Sequence, residues 1–290
     1  MGNESIYILN GGSEVAERTR LDVQHPFFHN IMDRQHLPAH IATELSSNPA
    51  PKVLEIATGS GIWLKELAAT LPKSAELVGL DFDTSKFHRD LPPNITLGFG
   101  DMYEPFPEEL RGRFDVVHVR LILYAARKGM GVWLVENLLS VLRPGGWLVW
   151  AEAGDFQATI EPPSRAWFRY QQLAWAFAKA IGRDLNIPVG IPGYIKEAGC
   201  IDVDHKLYAT CADVNESNKA EFAAMAQRIA RVFFRQGVSG ILSLGGVDGM
   251  RTQKEADDLL AQADEDLQGD AIFHVLLIRA WGRKPLKAVV

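Results

Sequence analysis

Cysteine is almost missing from this chain. Its 290 residues hold only Cys200 and Cys211, too few and too loosely spaced for a disulfide framework or a zinc site. That scarcity fits a reducing compartment, and the cytoplasm is the expected location. Long apolar runs are missing as well. The longest, such as VLLI near residue 276, have the length of a strand rather than of a membrane span. The N-terminal MGNESIYILNGGSEVAERTR lacks the continuous apolar core of a signal peptide. Ile6 stands where a myristoylation pattern needs Ser or Thr. An excess of basic charge is also absent: net charge is −6 with a pI near 5.8, which argues against a nucleic-acid surface. No internal repeat and no low-complexity tract occurs.

What remains is ordinary globular composition, 47% hydrophobic and 23% charged, in a chain long enough to bury a full core. From residue 52 to about 155, strand-like runs alternate with helix-like ones, the signature of βαβ units and a parallel sheet. PKVLEIA, AELVGLDFD, NITLGFGD, RFDVVHVRLIL and WLVWAEA read as five strands. GSGIWLKELAATLP carries Ile62, Leu64, Leu67, Ala68 and Leu71 near helical spacing and closes at Pro72. GVWLVENLLSVLR reads as a second helix, stopped by Pro144-Gly145-Gly146. IDVDHKLYA and AIFHVLLIRAWGRK add two late strands, making seven. Three more helices are expected, in PPSRAWFRYQQLAWAFAKAIG, GYIKEAGC and NKAEFAAMAQRIARVFFRQG.

These elements predict one α/β domain over 1–290: a Rossmann-like, mostly parallel seven-stranded sheet with helices on both faces. Residues 1–45 would form a helical N-terminal cover, and 46–160 the core. Residues 161–200 and 210–270 would be helical insertions on the substrate side, and 271–290 the last strand and tail.

The first strand ends in VLEIATGSGIW. A strand, small residues and a helix start together make a loop whose backbone can approach a ligand. A P-loop needs Lys-Ser/Thr after the glycines, and Ile62-Trp63 stands there instead. A dinucleotide loop needs a third glycine, which is absent after Gly59 and Gly61. The loop does have acids in order at strand ends: Glu55 beside it, Asp81 closing LVGLD, and Asp101 closing GFGD. Asp81 is placed to accept from two ribose hydroxyls. Asp101, with Met102, is placed to meet the amine and face of an adenine. With the third glycine missing, a pyrophosphate pocket is disfavoured and not excluded. The residues offer, in order, a candidate for each group that S-adenosylmethionine, which carries no phosphate, needs to meet.

The ordered series E-I-A-T-G-S-G, L-V-G-L-D, G-D-M, F-D-V-V-H-V-R and L-R-P-G-G-W-L-V resembles the motifs of the class I S-adenosylmethionine-dependent methyltransferases. The N-terminal Y-I-L-N…E…R-L…Q-H is similar to the LaeA-like methyltransferases associated with fungal secondary metabolism. The resemblance implies S-adenosylmethionine as cofactor, held by Glu55, Ala57, Thr58, Gly59, Gly61, Asp81, Phe82, Asp101, Met102 and Arg120. Ala57 replaces the first glycine of the family's series, and is therefore expected in strand-like backbone, leaving the close approach to Gly59 and Gly61.

Methyl transfer from a sulfonium needs alignment and exclusion of water more than a fixed catalytic group. His25, from the cover, and Tyr124 are the candidates for a polar residue beside the nucleophile. Tyr7, Trp167 and Tyr170 are the candidate substrate contacts, and no metal constellation is read. The expected reaction is methylation of O, N or S on a small apolar metabolite. Two alternatives share the fold: a cyclase or pericyclase acting on a polyketide-type substrate without transfer, and a regulatory protein working through protein partners.

Overall fold

The computed structural model describes residues 14–210 and 219–286. Tyr7 therefore lies outside the described residues. Helix α1 spans Glu14–Ile31 and α2 spans Ala39–Ser47. The first βα unit follows as β1 (Lys52–Ile56) and α3 (Ile62–Leu67), then β2 (Glu76–Asp81), β3 (Ile95–Phe99) and β4 (Phe114–Arg120). Next come α4 (Gly131–Val141), β5 (Leu142–Glu161), α5 (Arg165–Ala180), α6 (Ile187–Glu197) and β6 (Ile201–Ala209). The chain closes with α7 (Lys219–Ser243), α8 (Gln253–Asp266) and β7 (Ile272–Arg283).

The strands form one sheet in the order β3-β2-β1-β4-β5-β7-β6. Neighbours pair in parallel from β3 through β5, and β7 alone runs against its neighbours. The predicted Rossmann-like, mostly parallel seven-stranded sheet is thus what the chain forms. β1 and β4 are buried on both faces, as strands at the centre of a covered parallel sheet must be. That explains why VLEI and VVHV read as runs and not as alternations.

Two elements depart from their patterns. The helix after the glycine loop is shorter than its apolar spacing suggests. Beyond Leu67 the backbone tightens to bonds three residues back, Ala69 N–H to Glu66 and Thr70 N–H to Leu67, and the Thr70 hydroxyl also donates to the Leu67 carbonyl at 2.8 Å. β5 is longer than WLVWAEA. It absorbs Pro144-Gly145-Gly146 through a register shift against β4, with Gly145 at φ +76°, a conformation glycine adopts at little cost.

The order 3-2-1-4 reverses direction between β1 and β4, and such a crossover opens a crevice at the carboxyl ends of the strands. The predicted acids and Arg120 all sit at those ends. Helix α1 lies across this edge. Its Asp22 accepts from Ser60 Oγ at 2.8 Å and lies 3.0 Å from His88 Nε2, and Gln236 of α7 donates to Glu17 at 3.1 Å.

Candidate functional site

A cleft runs along that edge. At one end it is lined by Ala57, Thr58, Gly59, Asp81, Phe82, Asp101 and Met102, at its middle by His25 and Arg120, and at the far end by Tyr124, Glu152, Phe233 and Phe273. Ten of the residues singled out from the sequence therefore meet in one place.

The glycine loop is built differently from its expectation. Ala57 is not in strand-like backbone: its φ is +55°, in the left-handed region. Thr58 N–H donates to the Leu80 carbonyl of β2 at 3.1 Å, and its hydroxyl donates to Glu55 at 2.6 Å. The chain must therefore turn at residue 57 whatever side chain it carries. Alanine bears that turn at about 1–2 kcal/mol, of which glycine's greater unfolded-chain entropy would return about 0.4–1. Ala57→Gly is expected to raise the melting temperature by about 2 °C, checked by thermal unfolding; a lower value would mean the Ala57 methyl packs usefully. Gly59, at φ +62°, faces the ligand edge beneath Leu21 of α1, whose Cδ1 would lie 3.0 Å from an added Cβ. Gly61 does not make a close approach in the cleft. It starts α3 at φ +84°, and a Cβ there would meet Leu97 of β3 at 2.8 Å. Its need is helix–strand packing.

Glu55 lies beneath the loop, fully buried. Its Oε1 is 3.5 Å from Arg120 Nε and 3.4 Å from His118 Nδ1, yet accepts no hydrogen bond from the described residues. Burial pushes its pKa up to about 7, against the pull of Arg120 and Thr58. His118 is buried and stacks on Trp63 with ring centroids 3.8 Å apart, but its Nδ1 has no hydrogen-bond partner among the described residues. Burial holds that ring neutral.

Asp81 is engaged on both oxygens. Oδ2 accepts from Gly59 N–H at 2.8 Å, Oδ1 accepts from Asp83 N–H at 3.0 Å, and Lys86 Nζ stands 3.4 Å from Oδ1. Desolvation raises its pKa, opposed by Lys86 and the two backbone donors. Asp101 accepts from Tyr103 N–H at 2.9 Å. Asn137 holds the Met102 carbonyl at 3.0 Å. Phe82 is 43% exposed and lies 5.7 Å from the Phe99 ring, leaving a ring face at the cleft mouth.

His25 reaches the centre as expected, but not as a base. Arg120 Nη1 is 2.8 Å from Nδ1, and Glu66 Oε2 is 2.8 Å from Nε2. A guanidinium can only donate, so Nδ1 carries the ring's lone pair and Nε2 carries its proton. Burial and the neighbouring Arg120 press its pKa down to about 2. No lone pair is left to accept a proton from a substrate; His25 orients Arg120. The same geometry accounts for the proximity of His25, His29 and Glu66, whose ligating atoms lie within 4.8 Å of one another. With the His25 lone pair given to Arg120, the trio is a hydrogen-bonded chain and not a metal ligand set.

The aromatic helix supplies core, not cleft wall. Trp167 donates its indole N–H to the Ala158 carbonyl at 2.8 Å and packs against Tyr170, Phe234 and Phe273. Tyr170 is buried, and its hydroxyl lies 2.8 Å from that of Tyr124. Neither Trp167 nor Tyr170, the expected substrate contacts, is among the residues that line the cleft. The surplus aromatics, Phe168 and Trp175, face outward.

Among the cleft residues that carried no expectation are Lys86, Phe233 and Glu152. Glu152 is the most informative. It is fully buried in β5 and accepts from Ile122 N–H at 2.8 Å, Ala153 N–H at 3.2 Å and the Trp150 indole at 3.4 Å. Leu121, at φ +53°, turns the backbone so that successive N–H groups converge on that carboxyl, an anion nest filled by the protein's own acid. Burial drives its pKa up to about 8, and the donors oppose this. One acid inside the apolar run WLVWAEA was the visible signal.

A family model for methyltransferase domains matches residues 31–180. Over 285 residues the chain is 29% identical to the N-methyltransferase tcpN of Claviceps purpurea, covering 96% of this chain and 98% of that one. Over 192 residues it is 33% identical to the methyltransferase grgD of a Penicillium species, covering 64% of this chain and just under two thirds, 65%, of that one. A chain from a Haloferax volcanii complex of the Trm112 methyltransferase activator with a methyltransferase superposes at a TM-score of 0.50 and 15% identity. That superposition covers 94% of this chain and 98% of the other, a likeness of fold. The chain belongs to the methyltransferase-domain family, enzymes that take their methyl group from S-adenosylmethionine.

Proposed function

We propose that this enzyme methylates nitrogen on a small, largely apolar metabolite, with S-adenosylmethionine lying along the cleft from Phe82 to Arg120. The observation that carries the reading is the cleft's division. Asp81, Asp101 and Thr58 gather at one end, Arg120 stands at the middle, and at the far end Ile122, Leu123, Phe233, Phe273 and Val275 make a largely apolar lobe around the buried Glu152. Nitrogen is chosen because tcpN, similar over nearly its whole length, is named for N-methylation.

The residues present fit the cofactor. Buried Glu55 braces Arg120 from beneath the loop, and the Arg120 guanidinium, which lines the cleft, suits the carboxylate of an amino-acid end. The Asp81 carboxylate suits a ribose diol, and the exposed face of Phe82 suits a stacked adenine. Bound there, S-adenosylmethionine supplies a methyl group already activated on a sulfonium. The chain's part is placement and dryness. Arg120 is held by His25 and Glu55, α1 closes over Gly59 through Leu21, and the apolar lobe presents the acceptor away from water. An amine needs little help from a base beyond arriving neutral, and the lobe's low polarity favours the neutral form. Phe233, from the 210–270 insertion, supports that segment as a substrate-side wall.

The test is incubation with methyl-labelled S-adenosylmethionine and a panel of apolar secondary amines and phenols. Labelled N-methyl product with stoichiometric S-adenosylhomocysteine is the expected outcome. Label on oxygen alone would overturn the choice of nitrogen. A rearranged substrate beside intact cofactor would overturn transfer itself.

A further inference from the structure

Lys86 is a buried ammonium in the wall of a cleft suited to a positively charged cofactor. Its side chain is 6% exposed, with Nζ 3.4 Å from Asp81 Oδ1 and 3.9 Å from Asp83 Oδ2. The local sequence D-F-D-T-S-K builds this position. Asp83 accepts from Ser85 N–H at 3.0 Å and Ser85 Oγ at 2.7 Å, capping a single 3-10 turn over Thr84–Lys86 that swings the lysine back to the cleft wall. Lysine is rarely buried without a stated partner, and here the partner is the acid at the end of β2.

The acceptor arithmetic makes the position informative. Two carboxylate oxygens offer about four acceptor directions. Gly59 N–H uses one on Oδ2 and Asp83 N–H uses one on Oδ1. A vicinal diol needs one direction on each oxygen, and the ammonium already leans on Oδ1. A hydroxyl, however, is donor and acceptor at once. Placed between the two groups, it gives its hydrogen to the carboxylate and receives one from the ammonium. This removes the competition and leaves every group satisfied.

We propose that Lys86 is a ribose contact: its ammonium donates to one hydroxyl oxygen of the bound adenosine, while that hydroxyl donates to Asp81. The proposal rests on the reading that Asp81 takes the ribose diol. It adds a second, cationic selector at that subsite.

The experiment is a protein–ligand double-mutant cycle by titration calorimetry. The probes are S-adenosylhomocysteine and its 2′-deoxy and 3′-deoxy counterparts, measured on the full chain and on Lys86→Met. Against S-adenosylhomocysteine, the substitution is expected to weaken binding by about 10-fold or more, the range of a charged hydrogen bond. Against the deoxy compound that lacks the contacted hydroxyl, the same substitution should cost no more than about 2-fold. Equal loss against all three compounds would overturn the contact and leave Lys86 as a charge partner of Asp81 only; no loss at all would overturn it too. Failure of the parent chain to bind S-adenosylhomocysteine would sink the cofactor reading itself, which is a separate result. Lys86→Gln, which keeps a donor without the charge, carries the same cycle if melting shows that the methionine variant does not fold.

Discussion

Arg120→Met is expected to weaken S-adenosylhomocysteine binding by about 100-fold or more while leaving 5′-methylthioadenosine binding unchanged. Arg120 ends β4 at the middle of the cleft, and its guanidinium is fixed from two sides, by His25 at 2.8 Å and Glu55 at 3.5 Å. A guanidinium–carboxylate contact in a largely desolvated site is among the stronger single interactions a ligand can gain. Losing it corresponds to about 100-fold, or about 2.7 kcal/mol. Methylthioadenosine keeps the adenine and ribose but has no amino-acid end, so it reports whether the rest of the cleft survives. It should survive, because Glu55 already sits at a pKa of about 7. Without Arg120, which lowers that value, the carboxyl takes a proton and does not remain as an unpaired buried charge. His25→Phe should lose about 10-fold against S-adenosylhomocysteine alone, since it frees Arg120 without removing it. Calorimetry with both ligands decides the matter. A parallel loss of both would mean that Arg120 holds the β4 end together and does not select the ligand's charged end.

The contrast between His25 and Arg120 shows where the sequence stops being readable. Strands β1, β2 and β4 were legible because central parallel strands are apolar on both faces, and an acid or arginine closing such a run has to sit at the carboxyl edge. That one rule places Glu55, Asp81 and Arg120 on the fold, whereas Asp101 follows the edge strand β3, which is only partly buried. The rule says nothing of partners. His25 came to the cleft, but the tautomer that disqualifies it as a base is set by Arg120 and Glu66, which are remote in sequence. The burial of Trp167 and Tyr170 away from the cleft lining is unreadable for a related reason. Aromatics on more than one face of α5 cannot reveal which face is inward, and it is Phe234 and Phe273, far along the chain, that decide it. Ala57 carries no local sign of a left-handed turn, since the turn is imposed by the Thr58–Leu80 and Thr58–Glu55 hydrogen bonds. α8, by contrast, lies within the expected helical insertion over 210–270 and has a start that is legible in the sequence. Thr252 and Glu255 form a capping box, a pattern that marks a helix start from sequence alone.

Glu152→Gln is expected to change how stability depends on pH more than it changes stability at any one pH. Burial holds the Glu152 pKa near 8 and that of Glu55 near 7, against about 4.3 in an unfolded chain. Below about pH 4.3 both states hold the proton and neither acid makes stability vary. Between that value and the folded pKa, the native state keeps a proton that the unfolded chain has released. Stability therefore falls as pH rises, by about 1.4 kcal/mol per unit for each acid, and the fall ends above pH 8. Glutamine holds no such proton. Its amide also turns a donor toward N–H groups that converge on a carboxyl, so the variant should be less stable than the parent at pH 5.5. The gap should then close by about 1.4 kcal/mol per pH unit up to pH 8, read from urea unfolding at pH 5.5, 7.0 and 8.5. A constant gap across that range would mean that the nest of Ile122 and Ala153 N–H groups keeps Glu152 ionised throughout, outweighing its burial. Glu152→Ala separates the carboxyl's charge from its hydrogen bonds. It strands the N–H groups of Ile122, Leu123 and Ala153 at about 1–3 kcal/mol each, a loss that pH cannot restore. The loop it releases is the one that leads from Arg120 to Tyr124, so cofactor affinity should fall with stability in the alanine variant and stay near the parent's in the glutamine variant.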